Sequence, residues 1–165
     1  MIRHNHNSIY YNDNMMSENT GDKYHQLSAG FEFPPQSYTL DASTVEAYIK
    51  VTREANPTYA KEGLVPPTEV AAMAISALGS VMTIQPGMTH LSHELDFLKA
   101  VKVGETITCY STVSSLQDRG GLHELSCKIW VLNEDRERVL TGRIGFVLPE
   151  PAIINDHDED DINPD

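Results

Sequence analysis

The residues best suited to chemistry stand within six positions of one another: Glu54, Asn56 and Tyr59, with Pro57 between them, in the run Glu54-Ala55-Asn56-Pro57-Thr58-Tyr59. A carboxylate is an ordinary proton acceptor at neutral pH. An amide side chain braces turns. A phenol, with an unperturbed pKa of about 10, is a poor base but a good hydrogen-bond donor. By type alone the set supplies a candidate base, a brace and a candidate water-orienting group. The other ionisable candidates are His90 and His93. They differ by an odd number of residues, so a regular strand places them on opposite faces. His93 shares the parity of Leu91, Leu95 and Phe97 and is expected as a hydrogen-bonded core histidine, with His90 on the surface side. His123 is expected at a solvated hairpin.

Other chemistries find less support. Cys109 and Cys127 both fall in predicted strands and are expected as reduced core thiols. No Cys/His spacing suggests zinc, and His4 and His6 lie in a polar, Asn-rich leader. The acidic run at 156–161 lacks the glycine and distal Glu of an EF-hand loop and reads as a solvated tail. The chain has 165 residues and a net charge of -12, half of which comes from residues 151–165, where no Lys or Arg offsets the acids. That balance argues against a phosphate-backbone binder, which needs a basic patch. No apolar run reaches the roughly 18 residues of a membrane span, and the start has no signal-peptide core, so a cytoplasmic protein is expected.

The elements that must position these residues are legible from periodicity. Residues 1–21 read as a flexible extension, with Met16 an alternative start; 22–150 form one domain, and 151–165 a disordered tail. A strand is predicted at about 36–40, after Pro34 and Pro35. A helix follows over 43–55: Ser43 and Glu46 fit a capping box, and Val45, Tyr48, Ile49 and Thr52 form one stripe. Pro57 stops any simple continuation. A second helix, N-capped by Thr68, runs to about Met82. It is apolar almost all round and is therefore expected in the core. After Pro86-Gly87 everything reads as strands, with alternation at Ile107, Cys109, Ser111 and Val113, then at Leu125, Cys127, Ile129 and Val131, and turn signals at Arg119-Gly120-Gly121 and Asn133-Arg136. The predicted architecture is α+β, a curved antiparallel sheet around one buried helix.

The stretch 54–59 resembles the hydratase signature of MaoC-like hot-dog proteins, Asp-x-Asn-Pro-x-His, with Glu54 at the Asp position and Tyr59 at the His position. Gly30, Leu64-Val65-Pro66-Pro67-Thr68, His90–Phe97 and Val103-Gly104-Glu105-Thr106 follow in the family's order. The Pro-Pro-Thr form is similar to the N-terminal, dehydratase-like subgroup, which includes the non-signature subunits of mycobacterial-type hydroxyacyl-ACP dehydratases. The resemblance implies a single hot-dog domain that pairs as a homodimer or with another hot-dog subunit. It implies an acyl-CoA or acyl-ACP thioester as ligand, and no metal or redox cofactor. In active members an Asp and a His hold a water and move protons across the enoyl double bond, while a backbone N–H at the start of the central helix holds the enolate oxygen.

Carried over residue by residue, the resemblance implies catalytic roles for Glu54, Asn56 and Tyr59 and substrate contacts for Val65, Pro66, Pro67 and Thr68. Three departures bear on activity, the first being that the carboxylate at Glu54 is one methylene longer than the family's Asp. The imidazole is missing, and the family's His-Gly pair is replaced by Pro66-Pro67, which has no N–H to donate unless Thr68 or Glu69 supplies one. Three readings stay open: a hydratase or dehydratase of enoyl- and 3-hydroxyacyl thioesters; a non-catalytic acyl-binding subunit paired with a chain carrying the intact signature; and a hot-dog thioesterase using Glu54.

Overall fold

Alternating apolar residues in the second half of the chain need a common interior, and the strands deliver it. The structure is a computed structural model that describes residues 27–82 and 86–149. The expected extension at 1–21, with His4 and His6, and the expected tail at 151–165 lie outside the described residues. The elements run β1 (Glu32–Thr39), α1 (Ala42–Thr52), α2 (Pro57–Glu62), α3 (Pro67–Val81), β2 (Thr89–Phe97), β3 (Thr106–Asp118), β4 (Leu122–Leu132) and β5 (Arg138–Pro149). The five strands form one antiparallel sheet in the order β1-β3-β4-β5-β2, with α3 packed on β1, β3 and β4. This is the α+β architecture expected. No helix of the described residues is long and apolar enough to cross a membrane.

The period-two faces close the core. Ile107, Val113, Leu125, Cys127, Ile129, Val131, Leu140, Ile144 and Leu148 are all buried. Against them α3 presents Val70, Ala71, Ala74, Ala77 and Leu78, the spacing of one helical face. Both cysteines are free and buried on this interior, where burial pushes each thiol up to about 12. The β3–β4 hairpin turns at Gly120 and Gly121, both at positive φ (69° and 93°), with Arg119 N–H donating to Leu122 O at 2.8 Å. A two-residue hairpin loop of that hand favours glycine at both positions.

Several local expectations are corrected. The first helix is capped by Asp41, whose carboxylate accepts from Thr44 N–H at 2.8 Å and from the Ser43 hydroxyl at 2.7 Å. Ser43 thus lies inside the helix, its hydroxyl turned back to the Asp41 carboxylate that takes the cap position. The helix ends at Thr52 with Arg53 in the left-handed region (φ 56°), so Glu54 lies beyond it. Pro57 opens a further helix, α2, as its first residue, where a missing N–H costs nothing. Thr68 is not the cap of α3: Pro66 holds that position with no side-chain cap and Pro67 is the first helical residue. Nor is α3 buried all round, since Ala72, Ser76 and Ser80 are exposed. β1 begins at Glu32 and carries Pro34 and Pro35 within it, across a break in register with β3.

The register of β2 on β5 also breaks, between His90 and Ser92. The bulge leaves one extra residue on β2 and restores His90 to the face that His93 occupies. The two rings stack at 5.3 Å, interplanar angle 25°, and both are exposed. The opposite-face expectation fails because parity counting assumes an unbroken ladder.

Gly142 stands opposite Leu95 on the β2–β5 ladder. A Cβ added there would overlap the Glu94 carbonyl and the Leu95 side chain. We predict that Gly142→Ala lowers unfolding stability by about 1–3 kcal/mol, read from urea denaturation; an unchanged midpoint would contradict this contact.

Candidate active site

The motif folds as two nested turns. Arg53 closes α1, and Glu54 N–H donates to Ile49 O at 3.1 Å. The Glu54 carboxylate then accepts from Asn56 N–H at 2.9 Å, and Asn56 Oδ1 accepts from Thr58 N–H at 3.0 Å, capping α2. α2 ends at Gly63 in the left-handed region, and the Tyr59 carbonyl accepts from both Gly63 and Leu64 N–H. Each polar residue of the signature therefore has a structural task. Glu54 and Asn56 hold the chain reversal, and Tyr59 stands on the short helix they create.

The next segment is fixed from the other side. Val65 N–H donates to Val101 O, Val103 N–H donates to Gly63 O, and Leu64 pairs with Lys102. These bonds bring Tyr59, Val65 and Pro67 together with Val70, Phe97 and Lys99 around a cavity of about 60 Å³, room for a few waters and little more. Val65 and Pro66 are buried and Tyr59 and Pro67 half-buried, whereas Asn56 and Thr68 are exposed. Glu54 is half-buried and does not line this cavity. The structure thus joins Tyr59, Val65 and Pro67 and leaves Glu54, Asn56 and Thr68 at the margin.

The first turn of α3 decides which N–H can serve a ligand. Glu69 N–H donates to Pro66 O at 2.9 Å, and Pro67 has none to offer. Thr68 N–H makes no hydrogen bond to another described residue, and it stands at a helix start where anions are favoured.

A second cavity, of about 540 Å³, lies along the later half of α3. Ile75, Ser76, Ser80, Met88, His90 and Phe146 are among its walls, with the His90 and Phe146 rings 5.4 Å apart. It is mostly apolar with a few polar handles, the usual character of a small-molecule pocket. Pro67 and Ser76 are nine residues apart, about 13 Å of helix, so the two cavities lie towards opposite ends of α3. Sequence reading singled out neither the later half of α3 nor Phe146. The alternation of small residues on the exposed side of α3 was the available signal.

Comparison with known proteins gives these features a setting. The family described as "FAS1-like, dehydratase domain region" matches residues 28–142. No curated protein matches the sequence significantly. Among solved structures, an (R)-hydratase from A. caviae involved in PHA biosynthesis is 20% identical with a TM-score of 0.65, over 75% of this chain and 98% of that one. R-hydratase PhaJ1 from Pseudomonas aeruginosa is 18% identical with a TM-score of 0.67, over 78% and 86%. The HadBC 3R-hydroxyacyl-ACP dehydratase complex from Mycobacterium tuberculosis is 17% identical with a TM-score of 0.60, over 73% and 96%. The fold common to these and to this chain is the hot dog.

One functional-type residue escaped the sequence reading. Glu69 is 0% exposed, and neither carboxylate oxygen has a partner among the described residues. Helical periodicity puts it on the side of Ser76 and Ser80, an exposed position, so only tertiary packing buries it. Burial raises its pKa above the ordinary 4.5. Below 4.5 the folded and unfolded chains both keep the proton. As the pH rises past that value the unfolded chain releases it first, and wild-type stability falls. Glu69→Gln lacks this fall. Its stability relative to wild type is expected to improve from pH 4 to pH 7 in denaturant titrations, and a constant difference would show that Glu69 is not buried in its neutral form.

Proposed function

The chain belongs to the FAS1-like dehydratase-region family of hot-dog proteins, and from this we propose that it is a MaoC-like hydratase or dehydratase of enoyl- or 3-hydroxyacyl thioesters, with altered catalytic residues. The observation that carries the reading is the construction of the site. Asn56 caps α2 at Pro57, as the signature requires, and so delivers Tyr59 to the cavity at the start of α3. At the margin of that cavity the Thr68 N–H, which makes no hydrogen bond to another described residue, can donate to a thioester oxygen.

In hydration, the water oxygen bonds to the β-carbon as Glu54 takes one of its protons. The electron pair of the double bond moves onto the thioester as an enolate. Thr68 N–H donates to that oxygen, and a proton returned to the α-carbon completes the 3-hydroxyacyl product. Tyr59 orients the water. Pro66, Pro67 and Val65 form the wall beside it. The acyl chain, on CoA or ACP, occupies an apolar cavity of the size found along α3. The setting proposed is the cytoplasm, with a second hot-dog subunit on the free edge of the sheet, whether a copy of this chain or another protein. HadBC is itself described as a complex.

A specific observation favours a second reading, a non-catalytic acyl-binding subunit. The Glu54 carboxylate is already engaged by Asn56 N–H and lies off the cavity. Crotonyl-CoA hydration, followed as loss of the enoyl absorbance, separates the two. Under the catalytic reading the purified chain turns over and Glu54→Gln lowers kcat by about 10²-fold or more. No turnover by a folded chain that binds a non-reactive acyl-CoA thioether would replace it with the acyl-binding subunit.

A further inference from the structure

We propose that Lys99 is a further catalytic residue of the cavity beside Tyr59: its ammonium leaves Glu137 and joins Thr68 N–H in holding the anionic oxygen of a bound thioester. The inference rests on the thioester reading and adds to it. Glu54 remains the base, and Tyr59 remains the group that orients the water.

An enolate in an apolar cavity needs hydrogen-bond donors, and the backbone here has few to spare. Gly63 and Leu64 N–H both donate to Tyr59 O, Val65 N–H to Val101 O, Glu69 and Val70 N–H to Pro66 O, and Lys99 N–H to Val139 O. Pro66 and Pro67 have none. Side chains must supply what the backbone lacks. Of the described residues that line the cavity, only Tyr59 and Lys99 carry a polar side chain, and Lys99 alone is a cation. With Tyr59 committed to the water, the ammonium is the donor left for the oxygen.

The way Lys99 is held suits that exchange. Leu98 and Lys99 N–H both donate to Val139 O, which fixes the backbone on β5 beside another wall of the same cavity. The side chain is anchored separately, by an ion pair from Nζ to Glu137 Oε1 at 2.5 Å, with the two side chains 50% and 46% exposed. A pair so exposed contributes little and is readily exchanged. Glu137 keeps a partner when Lys99 leaves: Asn133 Nδ2 donates to its other oxygen at 3.3 Å, and Glu137 N–H donates to Asn133 Oδ1 at 2.8 Å. At about 60 Å³ the cavity admits no thioester until a wall gives way. Val65, Val70, Val101 and Val139 are buried in the core, whereas the Lys99 side chain is half in solvent. Swinging it off Glu137 opens the mouth and carries the charge to the ligand in one movement.

The ammonium gives up no proton in the reaction. The water oxygen bonds to the β-carbon as Glu54 takes the water's proton, and the double-bond pair becomes the enolate. Thr68 N–H and Lys99 Nζ donate to the enolate oxygen. Glu54 then returns the proton to the α-carbon, and every group is restored.

The probe is acetoacetyl-CoA, a thioester that ionises to an enolate with its own near-ultraviolet band and needs no turnover. Each purified chain is saturated with it and the band is followed against pH. On wild type the bound ligand is expected to ionise at lower pH than in free solution, and Lys99→Met to reduce its ionisation constant by about tenfold or more. Lys99→Arg retains most of the effect. Glu137→Gln frees the ammonium and ionises the ligand at least as readily as wild type, whereas an ion pair that only braced the fold would make Glu137→Gln and Lys99→Met fail alike. In crotonyl-CoA hydration Lys99→Met lowers kcat by about 10²-fold with little change in KM. Equal ionisation on wild type and a folded Lys99→Met, or a loss shared by Glu137→Gln, overturns the proposal. A wild type that binds no acetoacetyl-CoA overturns it together with the thioester reading. A wild type that forms the Lys99-dependent enolate but hydrates nothing refutes the hydratase reading alone and upholds the contact of Lys99 with the thioester oxygen.

Discussion

The close packing of the small-residue face of α3 on the sheet is the constraint on which the rest depends. Ala71, Ala74 and Ala77 are buried and end at Cβ, so the helix axis can lie near the strands, at the density of a protein interior. With 15 residues, α3 extends about 22 Å. Its first turn therefore sits by Tyr59 and Phe97, and its later half sits by His90 and Phe146. The separation of the two cavities is a consequence of helix length rather than of any residue in either cavity. Glu69 lies on the other side of the helix from these alanines and is nonetheless buried with no partner among the described residues, and that burial raises its pKa.

Tethers at the start of α3 turn that constraint into a site. The Val65–Val101 and Gly63–Val103 hydrogen bonds tie the short segment between α2 and α3 to the connection between β2 and β3. Tyr59 rides on α2 immediately before it. Loops that carry chemistry on a rigid frame are the common arrangement, and here the frame is hydrogen-bonded on both sides. The altered signature is intelligible in these terms. Asn56 and Pro57 build the turn together with the Glu54 carboxylate, and the positions that differ from the family pattern, 54 and 59, are those on which the chemistry would fall.

Much of this was legible in the sequence where one rule governed each residue. The β4 face of Leu125, Cys127, Ile129 and Val131 is buried on one side and follows a period of two without interruption. The second helix was legible from its length and apolarity. What was not legible depended on partners distant in sequence. The bulge at Leu91–Ser92 is a property of β2 against β5, and local alternation gave no warning of it. Asp41 and Ser43 are both good caps two residues apart, and only geometry chose between them. Pro57 does bar a continuation of α1, but that it also opens a further helix depends on the Asn56 cap. Glu69 sits at a position that helical periodicity leaves exposed, and the surrounding tertiary structure covers it.

The central claim is that Glu54, Tyr59 and the first turn of α3 form a thioester site whose chemistry is set by the two altered positions. The most direct measurement is kcat/KM for crotonyl-CoA hydration by the double variant Glu54→Asp/Tyr59→His, which restores the signature on this backbone. The account predicts a gain of about 10²-fold or more over wild type, the usual contribution of a positioned acid–base group. A folded double variant that hydrates no faster than wild type would contradict it, because the backbone would then not present those positions to a thioester.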